Sequence, residues 1–259
     1  MPAFIVIILS PVRLAILLAG FFACHSKTST EFFSYSLGNT TIEVARTRYE
    51  GTSNLAVVHL HDNESTGRKA AEDALQSTGG SLITLRNKDR RLLQFTYENE
   101  WYAVDPNRIF TDKGRHNTLN KWSKYRKGAA IVLAGFATYF SQLIPPSGVV
   151  VSMHNNTDKA YSVLSYRKGG ELYADAKTVH INPAKDVDDF FLTTSSTIYA
   201  KLKDSDYNVV LQDNGKAIDD GSLSIFYGQK QGDYVNIEAQ HGHSEEQVTM
   251  LLLLQKILG

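Results

Sequence analysis

Apolar runs alternate along most of this chain with stretches whose apolar residues recur at helical spacing. Residues 54–61, NLAVVHLH, form an apolar run closing on two histidines and predict a buried strand. Residues 67–78 set Ala and Leu among charges at helical spacing, and GSLITLRN (80–87) is a second β-rich run behind Gly79 and Gly80. RRLLQFTYENEWYAVD alternates on both sides of Glu98-Asn99-Glu100 and predicts a hairpin there. Residues 118–143 predict one long helix, stopped by the prolines of IPPSG. GVVVSMH (148–154) is a fully apolar strand ending on a histidine. DVDDFFLTTSSTIYAKLKDS (186–205) reads as a helix and YNVVLQD as a strand. GSLSIFYG and DYVNIEAQ read as strands joined by QKQG. SEEQVTMLLLLQKIL closes the chain as a helix, with Ser244 and Gln247 at capping-box spacing. This alternation predicts a single α/β domain with a central mixed, largely parallel sheet flanked by helices.

Composition narrows the field. Of 259 residues, 42% are hydrophobic and 21% charged, as in an ordinary globular protein. Lys+Arg and Asp+Glu number 27 each, so no global field attracts nucleic acid or an anionic membrane. The first residues carry one cation, Arg13, before an apolar run from Leu14 to Ala23, the length of a signal-peptide core and short for a bilayer span. The lone cysteine, Cys24, follows directly, behind Phe21-Phe22-Ala23, an arrangement with weak lipobox character. The expected organisation is a leader over 1–23, a polar tether over 24–40 running into a first strand, and a catalytic domain over 41–259. The expected location is exported: periplasmic or anchored through a lipid on Cys24, with plain secretion as the alternative.

In parallel sheets, ligands gather at the carboxyl ends of the strands. His61 with Glu64, His154 and Glu238 all fall at such ends. Two His and one Glu are a common donor set for a hydrolytic zinc, which leaves one position open. His-x-x-Glu alone arises often by chance, and a helix-capping Glu beside a satisfied histidine explains it as well. His59 shares a strand face with His61 and competes for the same role. Glu238 interrupts an apolar strand; buried, it suits a general base, and outward-facing it is a solvated edge residue. Asn107 and Arg108 in DPNRIF offer an amide and a planar fork for a carboxylate, or a polar turn. His241 and His243 read as loop histidines.

His61-x-x-Glu64 with Asn63 and Gly67, Asn107-Arg108-x-Phe110, His154-Asn155-x-Thr157 and Glu238 occur in one order. That order resembles the zinc carboxypeptidase-like superfamily, and within it the succinylglutamate desuccinylase/aspartoacylase branch, over roughly residues 55–245. The resemblance implies a carboxypeptidase-like fold and one zinc per chain on His61, Glu64 and His154. It further implies Glu238 as base and then acid, and Asn107 and Arg108 on a substrate carboxylate. Two departures stand out. Asp62 replaces a Gly and is expected to add a charge beside the metal. Ser152 replaces an Asp expected to support the third ligand. The family's second substrate Arg and late Tyr have only candidates here: Arg86, Arg90, Arg91 and Tyr227.

The expected function is an exported zinc amidohydrolase of metallocarboxypeptidase type, acting on a peptide or N-acyl amino acid with a free carboxylate. Export favours cell-wall peptides. The alternatives are a deacylase of small N-acyl amino acids and a binding lipoprotein of the same fold without catalysis.

Overall fold

The structure, a computed structural model, describes residues 28–259 except 147 and 159. The leader 1–23 and the lipidation candidate Cys24 lie outside the described residues. No helix among the described residues is long and apolar enough to cross a membrane.

Two ten-residue strands come first, β1 (Thr28–Leu37) and β2 (Thr40–Tyr49), paired antiparallel. Most of the span expected as a polar tether is therefore sheet: Leu37 inserts into the core while the polar face of β1 stays exposed. Then follow β3 (Ala56–His59), α1 (Ser65–Thr78) and β4 (Gly80–Arg86). The hairpin β5 (Leu93–Tyr97) and β6 (Glu100–Val104) turns on Glu98 and Asn99, both at positive φ (51° and 59°). That pair of conformations matches the twist of a two-residue hairpin.

The helix expected over 118–143 is two helices, α2 (Asp112–Trp122) and α3 (Lys127–Leu143). The Ser123 hydroxyl donates to the carbonyls of Leu119 and Ala103, drawing the chain out of α2 and onto the hairpin. After β7 (Val150–Asn156) comes β8 (Ala176–His180).

The helix expected over 186–205 is also divided. Asp186 caps a turn by accepting from the Asp188 amide, and β9 (Phe190–Thr193) then runs fully buried. Only α4 (Ser196–Asp204) is helical. After β10 (Val209–Gln212), the strand expected at GSLSIFYG is a helix, α5 (Leu223–Gln229), because the Ser222 hydroxyl caps it at the Ile225 amide. The chain closes with β11 (Tyr234–Gln240) and α6 (Ser244–Leu258).

Nine strands form one sheet, ordered β1-β2-β4-β3-β7-β11-β9-β10-β8. Its centre, β4-β3-β7-β11, is parallel, and antiparallel pairings join this centre to β2 and to β9. Side-chain alternation sends Val57, Val151 and Val235 to one face, where α1, α4 and α6 cover them. Val58, Val150 and Tyr234 face α3, α5 and the hairpin on the other side. The central strands are buried on both faces, so a polar side chain on them is either paired internally or opens into a cavity.

Candidate metal centre and active site

The carboxyl ends of β3, β7 and β11 lie side by side in the sheet. Beyond β3, the Glu64 amide donates to the His61 carbonyl at 2.9 Å, a tight turn that folds Glu64 back over His61. Glu64 is also the last residue before α1, so the helix start fixes its backbone. His154 and Glu238 are directly opposed across the β7–β11 pair.

Three donor groups converge here. His61 Nδ1 lies 3.0 Å from Glu64 Oε1, His154 Nδ1 lies 2.9 Å from Glu64 Oε2, and the two Nδ1 atoms are 3.1 Å apart. All three residues are buried, and their ligand atoms form a group able to hold one metal ion. Two imidazole nitrogens facing one another with a carboxylate across them require something positive between them, a proton or a cation. The far nitrogen of His61, Nε2, donates to Asp105 Oδ1 at 2.8 Å. That hydrogen bond leaves the Nδ1 lone pair pointing at Glu64 and His154, as a metal ligand needs. The donor set, its burial and this carboxylate support therefore fit a zinc ion.

The charges reinforce one another. Burial opposes a positive His61, but Glu64 and Asp105 outweigh it and push its pKa up to about 9 without a metal. Burial pushes Glu64 up, yet His61 and His154 hold it well below the usual carboxylate range. Asp105, buried too, is held low by the His61 hydrogen bond and the nearby guanidinium groups.

A second set of contacts holds His154. The Gln247 amide, fully buried on α6, donates to the His154 carbonyl at 2.7 Å. Its oxygen accepts from Asn155 Nδ2, whose own oxygen accepts from the Gly67 amide at 2.9 Å. The expected capping box of Ser244 and Gln247 is absent: His243 is the cap position, and Gln247 turns inward. Asn155 donates its amide to Glu64 Oε2 at 3.2 Å, so α1, β7 and α6 all lock onto the same cluster.

Glu238 is buried beside His154, and burial raises its pKa above the ordinary carboxylate value. Asn236 Nδ2 donates to Glu238 Oε1 at 2.8 Å, and the Ser152 hydroxyl donates to Asn236 Oδ1 at 2.9 Å. Ser152 also bonds the Tyr234 hydroxyl. It therefore orients the Asn236–Glu238 side of the site and leaves His154 to Gln247.

The cluster opens into a cavity of about 380 Å³. His61, Glu64, His154, Glu238, Asn107 and Arg108 all border it, so every predicted site residue within the described chain meets there. Asn107 accepts from the Leu223 amide at 3.1 Å, which ties it to the start of α5, and its Nδ2 lies 3.5 Å from His154 Nε2. Arg108 donates to the Asn107 carbonyl and pairs with Asp220 at 3.3 Å. Of the unplaced arginines, Arg91 borders the cavity, with Nη1 2.5 Å from Glu64 Oε1 and Nη2 3.5 Å from Asp105 Oδ2. Arg90 turns to Gln94 instead. Tyr227 stacks on Tyr234 in the core, while Tyr161 and Tyr166 line the cavity.

One expectation needs correction, and one alternative is set aside. Asp62 does not place a charge at the metal position. Its Oδ2 accepts the amides of Asn87 and Asp89 at 2.8 and 2.9 Å, bracing a turn in which Lys88 and Asp89 take positive φ. His59 is fully buried and does not border the cavity; its Nε2 meets the Glu64 carbonyl at 2.9 Å, and burial lowers its pKa to about 4. His243 pairs with Asp189 at 3.1 Å outside the cavity. Asp105 and Gln247 were missed as supports. Asp105 stands in DPNRIF and was readable only as a turn former; Gln247 was readable only as a capping-box partner of Ser244.

No protein-family model matches the chain, and no curated protein matches it. Among solved structures it is similar to a candidate metallopeptidase from Shewanella amazonensis at 11% identity and TM-score 0.41, over 88% of this chain and 85% of that one. It is similar to a succinylglutamate desuccinylase/aspartoacylase from Rhodobacter sphaeroides at 14% and 0.46, over 90% and 65%. It is similar to the succinylglutamate desuccinylase of Chromobacterium violaceum at 11% and 0.44, over 91% and 70%. At such identities and scores these likenesses carry no argument for the site, whose reading rests on its own geometry.

Proposed function

We propose that the chain is an exported zinc-dependent hydrolase of an amide bond, in a peptide or an N-acyl amino acid that carries a free carboxylate. The observation that carries this reading is the convergence of His61 Nδ1, His154 Nδ1 and Glu64 within 3.1 Å, with Asp105 on the far side of His61. A zinc ion on these donors supplies Lewis-acid polarisation of a carbonyl and makes water acidic enough to attack near neutral pH.

The chain's own residues do the rest. Glu238, when ionised, accepts a proton from the attacking water as the carbon–oxygen bond forms. It returns that proton to the departing nitrogen as the carbon–nitrogen bond breaks, giving a carboxylic acid and an amine. Its raised pKa brings it closer to the pH at which it must both take and give a proton. Arg108, whose Nε pairs with Asp220 and whose Nη1 donates to the Asn107 carbonyl, offers its remaining Nη2 donors to the substrate carboxylate, and Asn107 fixes the loop that presents it. Export favours peptides, including those of the cell wall, over cytoplasmic metabolites. Asp62 and Ser152, the two departures, bond to the Asn87 and Asp89 amides and to Asn236 and Tyr234, and neither borders the cavity.

The test is hydrolysis of a panel of dipeptides and N-acyl amino acids by the zinc-loaded chain. Glu238→Gln should keep its zinc and its melting temperature yet lose hydrolysis by at least two orders of magnitude. Undiminished turnover in that variant contradicts the assigned base.

A further inference from the structure

We infer that the end of α2 and its connector to α3 form a docking surface for an anionic phospholipid bilayer, apart from the metal centre. The overall neutrality of the chain conceals a local imbalance. From Lys113 to Thr157 it carries six Lys and Arg residues and no carboxylate. Four of the six fall in KWSKYRK (121–127), and all four are exposed: Lys121, Lys124, Arg126 and Lys127. Arg126 approaches Glu100 at 3.8 Å; among the described residues, Lys121, Lys124 and Lys127 meet no carboxylate.

Apolar surface lies among these cations. The chain has two tryptophans, Trp101 and Trp122, and both are exposed, at 55% and 41%. Both belong to one surface: the Ser123 hydroxyl bonds the Ala103 amide and carbonyl, and Trp101 lies two residues before Ala103 on the same face of β6. The Lys121 ammonium sits over the Trp122 ring, 5.1 Å from its centroid. Ile131, one turn beyond Lys127 on α3, is 61% exposed. Indole rings flanked by long cationic side chains suit the headgroup layer, where the rings enter the acyl boundary and the ammonium groups meet phosphates. Single-stranded nucleic acid also offers phosphates and rings to stack on, but it gives an exposed isoleucine no partner. The cationic run together with an outward aliphatic side chain therefore favours lipid. None of these residues borders the cavity at the metal centre.

The two tryptophans make this surface its own reporter, since the leader contains none. Emission of the full chain is followed while adding vesicles with brominated acyl chains, either phosphatidylcholine alone or an equimolar mixture with phosphatidylglycerol. The mixed vesicles should shift the emission to shorter wavelength and quench it; phosphatidylcholine alone should do neither. In the triple variant Lys121→Gln, Lys124→Gln, Lys127→Gln, the lipid concentration at half-quenching should rise on the order of 100-fold, with zinc content and melting temperature unchanged. Raising the salt concentration should weaken quenching of the unsubstituted chain in the same direction. Equal quenching by phosphatidylcholine alone, unshifted emission on the mixed vesicles, or quenching that survives the triple substitution overturns the inference. So does a response to a single-stranded oligonucleotide with both vesicles silent, which assigns the surface to nucleic acid.

Discussion

The far nitrogen of His61 donates to Asp105 at 2.8 Å, and this contact decides which nitrogen faces Glu64 and His154. A ring donating from Nε2 to a buried carboxylate presents an unprotonated Nδ1 to a cation. Asp105→Asn removes the charge and allows the amide to accept or donate, so the tautomer is no longer imposed. Zinc affinity should weaken about 10–100-fold with little change in fold. Competition with a chromophoric chelator measures it; unchanged affinity means that Asp105 is only a turn former.

Gln247 reaches His154 from α6, more than ninety residues along the chain. Gln247→Leu leaves the His154 carbonyl and the Asn155 amide short of partners in the interior. The expected loss is about 1–3 kcal/mol by urea unfolding. The rise in melting temperature on adding zinc should also shrink, because His154 loses its backbone anchor. A stability loss with the zinc-induced rise unchanged would limit Gln247 to packing.

The metal-free chain should show a pH signature. The pKa of His61 is raised in the fold to about 9 from an ordinary value of 6.5. A raised pKa gives stabilisation that is complete below about pH 6.5 and is lost as pH rises through about 9. Urea unfolding in a chelator should therefore show stability falling over that window, on the order of 2–3 kcal/mol. With zinc the direction reverses, since metal and proton compete for His61 and the zinc-dependent stabilisation grows with pH. A flat profile without metal would place the bridging proton elsewhere.

His61 and His154 were legible as candidates because each closes an apolar run, but a polar turn explained them equally well until their order with Glu64, Asn107-Arg108 and Glu238 gave the resemblance. Histidines 59 and 61 are two residues apart and looked interchangeable. The resemblance singled out His61; the physical reason is the tight turn returning Glu64 over it, a backbone event without a sequence marker. Asp62 was misread for a related reason: its carboxylate bonds amides 25 and 27 residues away, across the β4–β5 loop. The misassigned elements share a cause as well. GSLSIFYG has strand composition, but the Ser222 cap and packing over β11 make it helical. DVDDFFLTTSS has helical charge spacing, yet pairing with β10 and β11 keeps Phe190–Thr193 extended. In both, tertiary contacts override local preference.

The central claim is that His61, Glu64 and His154 hold one zinc ion. Its most direct measurement is metal content by plasma mass spectrometry on the full chain after zinc loading and exhaustive dialysis. The account predicts about one zinc per chain, and near none in His61→Ala and in His154→Ala. A wild-type chain that stays metal-free at unchanged stability, or full zinc retained in both variants, would contradict it.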